Sequence, residues 1–334
     1  MIEIPFPAIA PTRLSIAPTR LYAVLLRLRP IQQGTLMPFS GEFVHAALLN
    51  WIRAAAPDVA RWLHDGNKRR LFTCSSLQFP LPEARMRQAE RDNVHLPLSP
   101  EKTYPVRITF MLGELFPLFY EALMRYNVTS SSGHKPPFMQ LGKQVFLLEE
   151  VVAEPGEDSG WTDCTSFSKL VDWVRTLRLG RVETLELKFA SLTMFNRSNK
   201  ANQVYGGYQA LLPLPQYVFP GLARRWQELV PSELASMVQE EAVERYIEHD
   251  GMVISDYAVR PHSVCFAHHV QRGFVGKCTY DLRGPDERVT GDTELTVRQQ
   301  ILLLARFAFY CGIGYKTAMG MGQVRSICSS TALA

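Results

Sequence analysis

The order of predicted elements indicates an α+β protein made of two related halves, the first of them a ferredoxin-like unit. Three observations predict this class. The chain has 334 residues, which at about 150 residues per domain corresponds to two domains. The first half shows the order strand, helix, strand twice, and the second half shows another set of strands and helices. A short repeat of fixed period is absent from the sequence, which excludes solenoids and propellers.

The first half is read from its alternating apolar and polar residues and from its helix-start signals. Ser40 is a candidate N-cap for a helix that ends before Pro57, a short second helix then ends at His64, and residues 113–126 form a third. Residues 83–101 are a polar, charged stretch without an assigned element. The predicted strands are residues 19–29, 71–79, 104–112 and 138–152.

The first half is followed by a predicted domain boundary and by a second set of strands and helices. Residues 154–166 are acidic, contain Gly and Ser and are aperiodic, so we predict domains of residues 1–155 and 156–334. The predicted strands of the second half are residues 182–195, 252–259, 273–282 and 322–327. Its predicted helices are residues 219–230, 233–246 and 296–310.

Composition excludes several classes of protein. Hydrophobic residues make up 46% and charged residues 20% of the chain, which are ordinary globular values and exclude wholesale disorder. The net charge of +4 permits a nucleic-acid partner without requiring one. The longest uncharged stretch, residues 201–223, contains several prolines and glycines and is predicted to be a loop, and a secretory signal is not apparent at the start. We therefore expect a cytoplasmic protein with no membrane partner.

The six cysteines are scattered, and none of them forms the two-residue pair of a zinc knuckle or redox motif. We expect reduced core cysteines, no metal site and no cofactor.

A glycine-rich loop, GIGYKTAMGMGQVR, occupies residues 312–325 between the last predicted helix and the last strand. Glycine lets backbone N–H groups approach a phosphate, and Lys316 and Arg325 add positive charge, so the loop is a candidate anion site. The alternative is a tight helix-to-strand connection that needs left-handed backbone angles. A P-loop is excluded because Tyr315 precedes the lysine, and a dinucleotide fingerprint is excluded because this loop follows a helix and opens a strand.

Taken together, the ordered motifs resemble the CRISPR-associated repeat-processing endoribonucleases, the sixth Cas protein family of the RAMP superfamily. The motifs are the segment of residues 41–78, LKFASLTMF at 187–195, PLPQYVFPGLARRW at 213–226, GFVG at 273–276 and the glycine-rich loop. The resemblance implies two tandem ferredoxin-like (RRM-like) domains, each an antiparallel sheet with helices on one face. It also implies metal-independent cleavage within CRISPR repeats. In this reaction the RNA 2′-hydroxyl attacks the adjacent phosphate, and the products carry a 2′,3′-cyclic phosphate and a 5′-hydroxyl. The implied partners are precursor repeat RNA and a CRISPR effector complex, with the protein a monomer or a homodimer.

Such a cleavage needs a base, an acid and positive charge at the phosphate. Histidine serves as acid or base near neutral pH, and His64 is the main candidate. Arg70 is expected to stabilise the phosphate, with Arg69 and Lys68 as RNA contacts. His45 is the candidate second acid or base, following the two-histidine pattern of some family members, and the alternative is a packed or hydrogen-bonded core histidine.

Basic residues and loop glycines are the remaining RNA-contact candidates, and a phosphate track of this kind makes affinity fall steeply with salt. The loop candidates are Gly312, Gly314, Lys316, Gly320, Gly322 and Arg325; the others are Arg27, Arg29, Lys188, Arg197, Lys200, Arg224, Arg225 and the pair His268 and His269. Two other functions stay open: a non-cleaving RNA-binding RAMP subunit of an effector complex, and a small-molecule phosphate-binding enzyme.

Overall fold

The computed structural model describes residues 20–64, 71–128, 138–154, 160–197, 207–284 and 294–328. The strands are β1 (Arg20–Pro30), β2 (Gly34–Leu36), β3 (Phe72–Cys74), β4 (Leu96–Leu98), β5 (Tyr104–Phe110), β6 (Phe138–Leu141), β7 (Gln144–Val152), β8 (Asp163–Ser166), β9 (Val182–Thr193), β10 (Phe195–Arg197), β11 (Tyr208–Ala210), β12 (Met252–Cys265), β13 (Val270–Arg283) and β14 (Val324–Cys328). The helices are α1 (Gly41–Ala55), α2 (Pro57–His64), α3 (Glu83–Asp92), α4 (Leu115–Val128), α5 (Phe167–Thr176), α6 (Pro215–Leu229), α7 (Ser232–Ala235), α8 (Glu240–Glu248) and α9 (Val297–Cys311).

The chain forms two compact units. Unit 1 comprises residues 1–165, 264–269 and 318–320, and unit 2 comprises the rest. Short pieces of the β12–β13 hairpin and of the glycine-rich loop therefore belong to unit 1. The boundary predicted between residues 155 and 156 falls in a segment, 155–159, that lies outside the described residues.

Unit 1 is built on an antiparallel sheet of order β3-β5-β1-β7-β6, with β8 paired to β1. When β1, β3, β5 and β7 are counted as first to fourth strands, the order is second, third, first, fourth. Helices α1 and α4 connect and cover these strands, and Trp51 packs on Phe119 with ring centroids 5.5 Å apart. This is the strand–helix–strand duplication of a ferredoxin-like unit.

Unit 2 repeats the same topology. Its four-stranded sheet has the order β12-β13-β9-β14, which is again second, third, first, fourth. Trp226 on α6 is fully buried and lies edge-on to Phe167 at 5.5 Å and to Phe307 at 5.4 Å, so three helices share one aromatic core. The predicted class, two tandem ferredoxin-like domains, is confirmed.

Several predicted elements were wrong in extent. The polar stretch of residues 83–101 contains α3 and also β4, which pairs with β2. The single strand predicted at 138–152 is the β6–β7 hairpin, and Gly142 supplies the positive φ of its two-residue turn. The single helix predicted at 233–246 is two helices, α7 and α8. In the last two cases a turn interrupts a segment whose composition looks continuous.

Candidate functional site

The start of α1 lies against the tip of the glycine-rich loop within unit 1. A Cβ added to Gly41 would stand 2.3 Å from the Met319 carbonyl oxygen and 2.6 Å from the Gly320 Cα, so a side chain has no room there. Ser40 stands at the predicted N-cap position, but its hydroxyl accepts the Leu77 N–H instead of capping the helix. The start of α1 is thus fixed by tertiary contacts.

His45 lies on the face of α1 that contacts this loop tip. The residue is only 7% exposed, and its ring stacks on Phe72 at a centroid distance of 5.3 Å. Its Nδ1 lies 2.9 Å from the Ala318 carbonyl oxygen, which can only accept, so Nδ1 carries the proton. The geometry joins residues 273 positions apart in the sequence.

Cys74, at the end of β3, contacts the same carbonyl. Its Sγ donates to the Ala318 oxygen at 2.8 Å and accepts the Gly320 N–H. Burial raises the pKa of the Cys74 thiol far above its ordinary value, because the apolar surroundings disfavour a thiolate. Cys74 is therefore a neutral donor rather than a nucleophile.

The tip of the β12–β13 hairpin also belongs to unit 1. Phe266 packs on Phe39 at 5.1 Å, and the Ala267 N–H donates to the Glu42 carboxylate at 2.9 Å. His269 stacks on Phe266 at 5.0 Å, and both His268 and His269 are exposed. The first turn of α1 is thereby contacted by two segments from far along the chain.

His64 is the last residue of α2, as the sequence predicts. The helix is anchored by the buried side chains of Val59, Ala60 and Leu63. Lys68, Arg69 and Arg70 follow in residues 65–70, which lie outside the described residues.

The glycines of the loop are required by close backbone approaches in unit 2. Gly312, Gly314 and Gly322 all have positive φ, and a Cβ on Gly314 or Gly322 would lie 2.4 or 2.2 Å from a carbonyl oxygen. Lys316 also has a positive φ, of 53°, which is uncommon for a residue with a side chain. These features match the predicted tight helix-to-strand connection.

Many of the loop's amides donate to protein acceptors. The N–H groups of Ile313 and Gly322 donate to the carbonyls of Gly322 and Leu192 at 2.9 Å, and that of Tyr315 donates to Met194 at 3.0 Å. The amides of Gly312, Met321 and Gln323 also have protein acceptors, and that of Gly320 donates to Cys74 Sγ. Because these seven amides already donate within the protein, the loop offers a phosphate chiefly its other amides, the exposed Tyr315 and the half-buried Lys316.

Three cations form a row across the unit 2 sheet. Lys188 on β9 lies directly opposite Lys277 on β13 and opposite Arg325 on β14. Cross-strand partners share one face with Cβ atoms about 5 Å apart, and like charges there are destabilising unless an anion joins them. One carboxylate, Glu186, pairs with Lys277 at 2.9 Å. Sequence reasoning missed Lys277, although the alternation of Lys277, buried Cys278, Thr279 and buried Tyr280 carries the signal.

The other predicted cations are mostly engaged with acidic or aromatic side chains, which weakens them as RNA contacts. Arg27 pairs with Glu150, Arg29 with Glu149, Arg224 with Glu240 and the buried Arg225 with Glu228, while Arg197 lies 5.2 Å from the Tyr217 ring centroid. Lys200 lies outside the described residues.

Within the described ranges, His, Cys, Asp and Glu side chains do not gather in groups of three or more that could hold a metal ion. A helix long and apolar enough to cross a membrane is also absent from these ranges.

The profile described as the CRISPR Cas6 N-terminal domain matches residues 20–172, and that of CRISPR-associated endoribonuclease Cas6 matches residues 187–324. No curated protein matches the chain.

Solved structures share the fold over nearly the whole length. A Cas6 product complex is 21% identical and has a TM-score of 0.65, covering 93% of this chain and 100% of its own. Thermus thermophilus Cas6 is 21% identical with a TM-score of 0.56 over the same shares of the two chains. The product of a Cas6-related gene from Pyrococcus furiosus is 13% identical with a TM-score of 0.55, covering 92% of this chain and 98% of its own. At these identities the likeness concerns the fold.

Proposed function

Because this chain belongs to the Cas6 family of CRISPR-associated endoribonucleases, we propose that it cuts CRISPR repeat RNA without a metal ion. The observation that carries the proposal is the ordered match of both family domains, at residues 20–172 and 187–324. Product and substrate-mimic complexes of other Cas6 proteins with the same fold support it.

The proposed reaction is an internal transfer at one phosphate. The 2′-hydroxyl loses its proton to a base, its oxygen bonds to phosphorus, and the bond from phosphorus to the 5′-oxygen breaks while an acid protonates that oxygen. The products are a 2′,3′-cyclic phosphate and a 5′-hydroxyl. His64 is the acid or the base, and Arg70 stabilises the charge of the pentacoordinate phosphate as a bidentate donor.

Binding is assigned to basic and glycine-rich segments. The cation row of Lys188, Lys277 and Arg325 supports this assignment, because a phosphate beside it reduces the repulsion among neighbouring cations, of which Lys277 is also paired with Glu186. The loop contributes Lys316, while Gly312, Gly314, Gly320 and Gly322 allow the close backbone approaches that give the loop its shape. Lys68 and Arg69 contact the RNA near the cut.

The test is single-turnover cleavage of end-labelled repeat RNA in the presence of a chelator. We expect one cut, a cyclic phosphate end, and no cut when the scissile ribose lacks its 2′-hydroxyl. His64→Ala is expected to slow the cut by about 10²- to 10⁴-fold, the usual contribution of acid–base catalysis. Arg70→Ala is expected to slow it by about 10²- to 10³-fold, the effect of removing one charge-stabilising donor.

His95→Ala is the matched control, because His95 is an exposed histidine of unit 1 outside the site, and the parental rate is expected. Tight binding of the repeat RNA without any cut would overturn the proposal in favour of a non-cleaving RNA-binding subunit. A cut that requires a divalent ion would overturn its metal-independent chemistry.

A further inference from the structure

We propose that His45 is a positioning residue that holds the tip of the glycine-rich loop for RNA binding, and that it does not move a proton in the cleavage step. The inference rests on the proposed function, because it concerns how that reaction's RNA-binding loop is held. It replaces the role of second acid or base that the family pattern suggests for this histidine.

The hydrogen bond of His45 fixes the position of its proton. The Ala318 carbonyl can only accept, so the Nδ1 proton stays in this bond at 2.9 Å. The ring is also held by its stacking on Phe72, and the residue is buried. A general acid or base must instead reach the reacting oxygen directly or through one water. The burial of His45 disfavours that role.

The same carbonyl receives a second, independent donor. Cys74 Sγ donates to Ala318 at 2.8 Å and accepts from Gly320, so two side chains hold the three-residue tip, Ala318–Gly320. Gly41 allows the approach because it lacks a Cβ. The tip is thereby fixed relative to α1 and β3 of unit 1, and we infer that RNA binding needs this fixed position of the tip. Losing the His45 bond would allow the tip to move, and binding would then cost the free energy of ordering it again.

Two substitutions separate positioning from proton transfer. His45→Leu removes the donor and keeps an apolar side chain of similar bulk. His45→Asn keeps a neutral N–H donor near the position of Nδ1, but an amide cannot act as an acid or base near neutral pH. His95→Leu is the matched control, because it makes the same change at an exposed histidine.

Three quantities are measured for each variant. They are the dissociation constant for repeat RNA with a 2′-deoxy scissile ribose, the single-turnover rate on unmodified RNA at saturating protein, and the pH dependence of that rate. We expect His45→Leu to weaken binding about fivefold, the factor that corresponds to one net hydrogen bond. Its saturated rate should stay within about threefold of the parent, and His45→Asn should restore binding with an unchanged pH profile.

A drop of about 10²-fold or more in the saturated rate of His45→Asn, or the loss of one limb of its pH profile, would show that His45 moves a proton and would overturn the inference. Parental binding by His45→Leu, confirmed as folded by its melting temperature, would overturn it as well. Failure of the proposed function is distinct: the parent would then not cut the unmodified RNA, while the binding comparison would still decide the role of His45. A parent that neither cuts nor binds would defeat both.

Discussion

Gly41→Ala tests the contact between α1 and the loop tip, because two physical effects predict opposite changes in the free energy of unfolding. Alanine in place of glycine inside a helix normally stabilises it by up to about 1 kcal/mol, and for Gly41, the first residue of α1, this value is an upper bound. At Gly41, however, the new Cβ would stand 2.3 Å from the Met319 carbonyl oxygen, whereas ordinary contact begins at 3.4 Å. Both nearest groups belong to the backbone, so no flexible side chain can move aside.

The cost follows from how far the loop tip must move. It has to withdraw by about 1 Å, which stretches the His45 and Cys74 bonds to Ala318, now 2.9 and 2.8 Å, beyond hydrogen-bond distance. Two hydrogen bonds at about 1 kcal/mol each exceed the helix-propensity gain, so we expect a net loss of about 1–2 kcal/mol. For a unit of this size that lowers the melting temperature by about 4 °C.

Scanning calorimetry of the full chain measures this change, and alkylation of Cys74 followed by mass spectrometry provides a second readout. Gly41→Ala should expose Cys74 to alkylation at a lower temperature than in the parent. Gly221→Ala is the matched control: it lies inside α6, nothing is within 4 Å of its added Cβ, and we expect stabilisation of up to about 1 kcal/mol. If Gly41→Ala melts at or above the parental temperature with Cys74 equally protected, the reasoning is refuted.

Three further predictions concern binding, stability and pH. Lys188→Gln should make the plot of log affinity against log salt concentration less steep, by about 0.7–0.9 for each lost phosphate contact. Lys169→Gln on α5 should leave this steepness unchanged, and equal slopes for the two variants would contradict RNA binding by the cation row. Trp226→Ala should cost about 3–5 kcal/mol in urea unfolding, because the side chain is fully buried, and a cost below about 1 kcal/mol would contradict its central packing. Because burial raises the pKa of Cys74, its thiol stays protonated in the folded state at pH values where the unfolded chain, with a thiol pKa of about 8.5, loses the proton. The stability that the protonated thiol contributes is complete below this unfolded pKa and is lost as pH rises towards the folded pKa. Between pH 9 and 10 the unfolding free energy of the parent should therefore fall more steeply than that of Cys74→Ala, by about 1.4 kcal/mol per pH unit, and equal slopes would disprove this.

Local patterns predicted those elements whose signals lie within a few neighbouring residues. The period-two alternation of residues 182–195 became β9, and the apolar helix predicted at 296–310 became α9, where Thr296 and Gln299 form a capping box. Helix α3 was missed because it buries only Ala89, which leaves almost no apolar periodicity to detect.

The element order, the tandem ferredoxin-like class, the family and the position of His64 at a helix end could all be predicted before any coordinates, since they follow from local periodicity and ordered motifs. The shared strand order of the two units, the place of Lys277 beside Lys188 and the donation from His45 to Ala318 became visible only in the folded chain. Local patterns fix which face of an element is buried, whereas the partner on that face comes from a distant segment. The His45 bond joins residues 273 positions apart, so no pattern of neighbouring residues could reveal it.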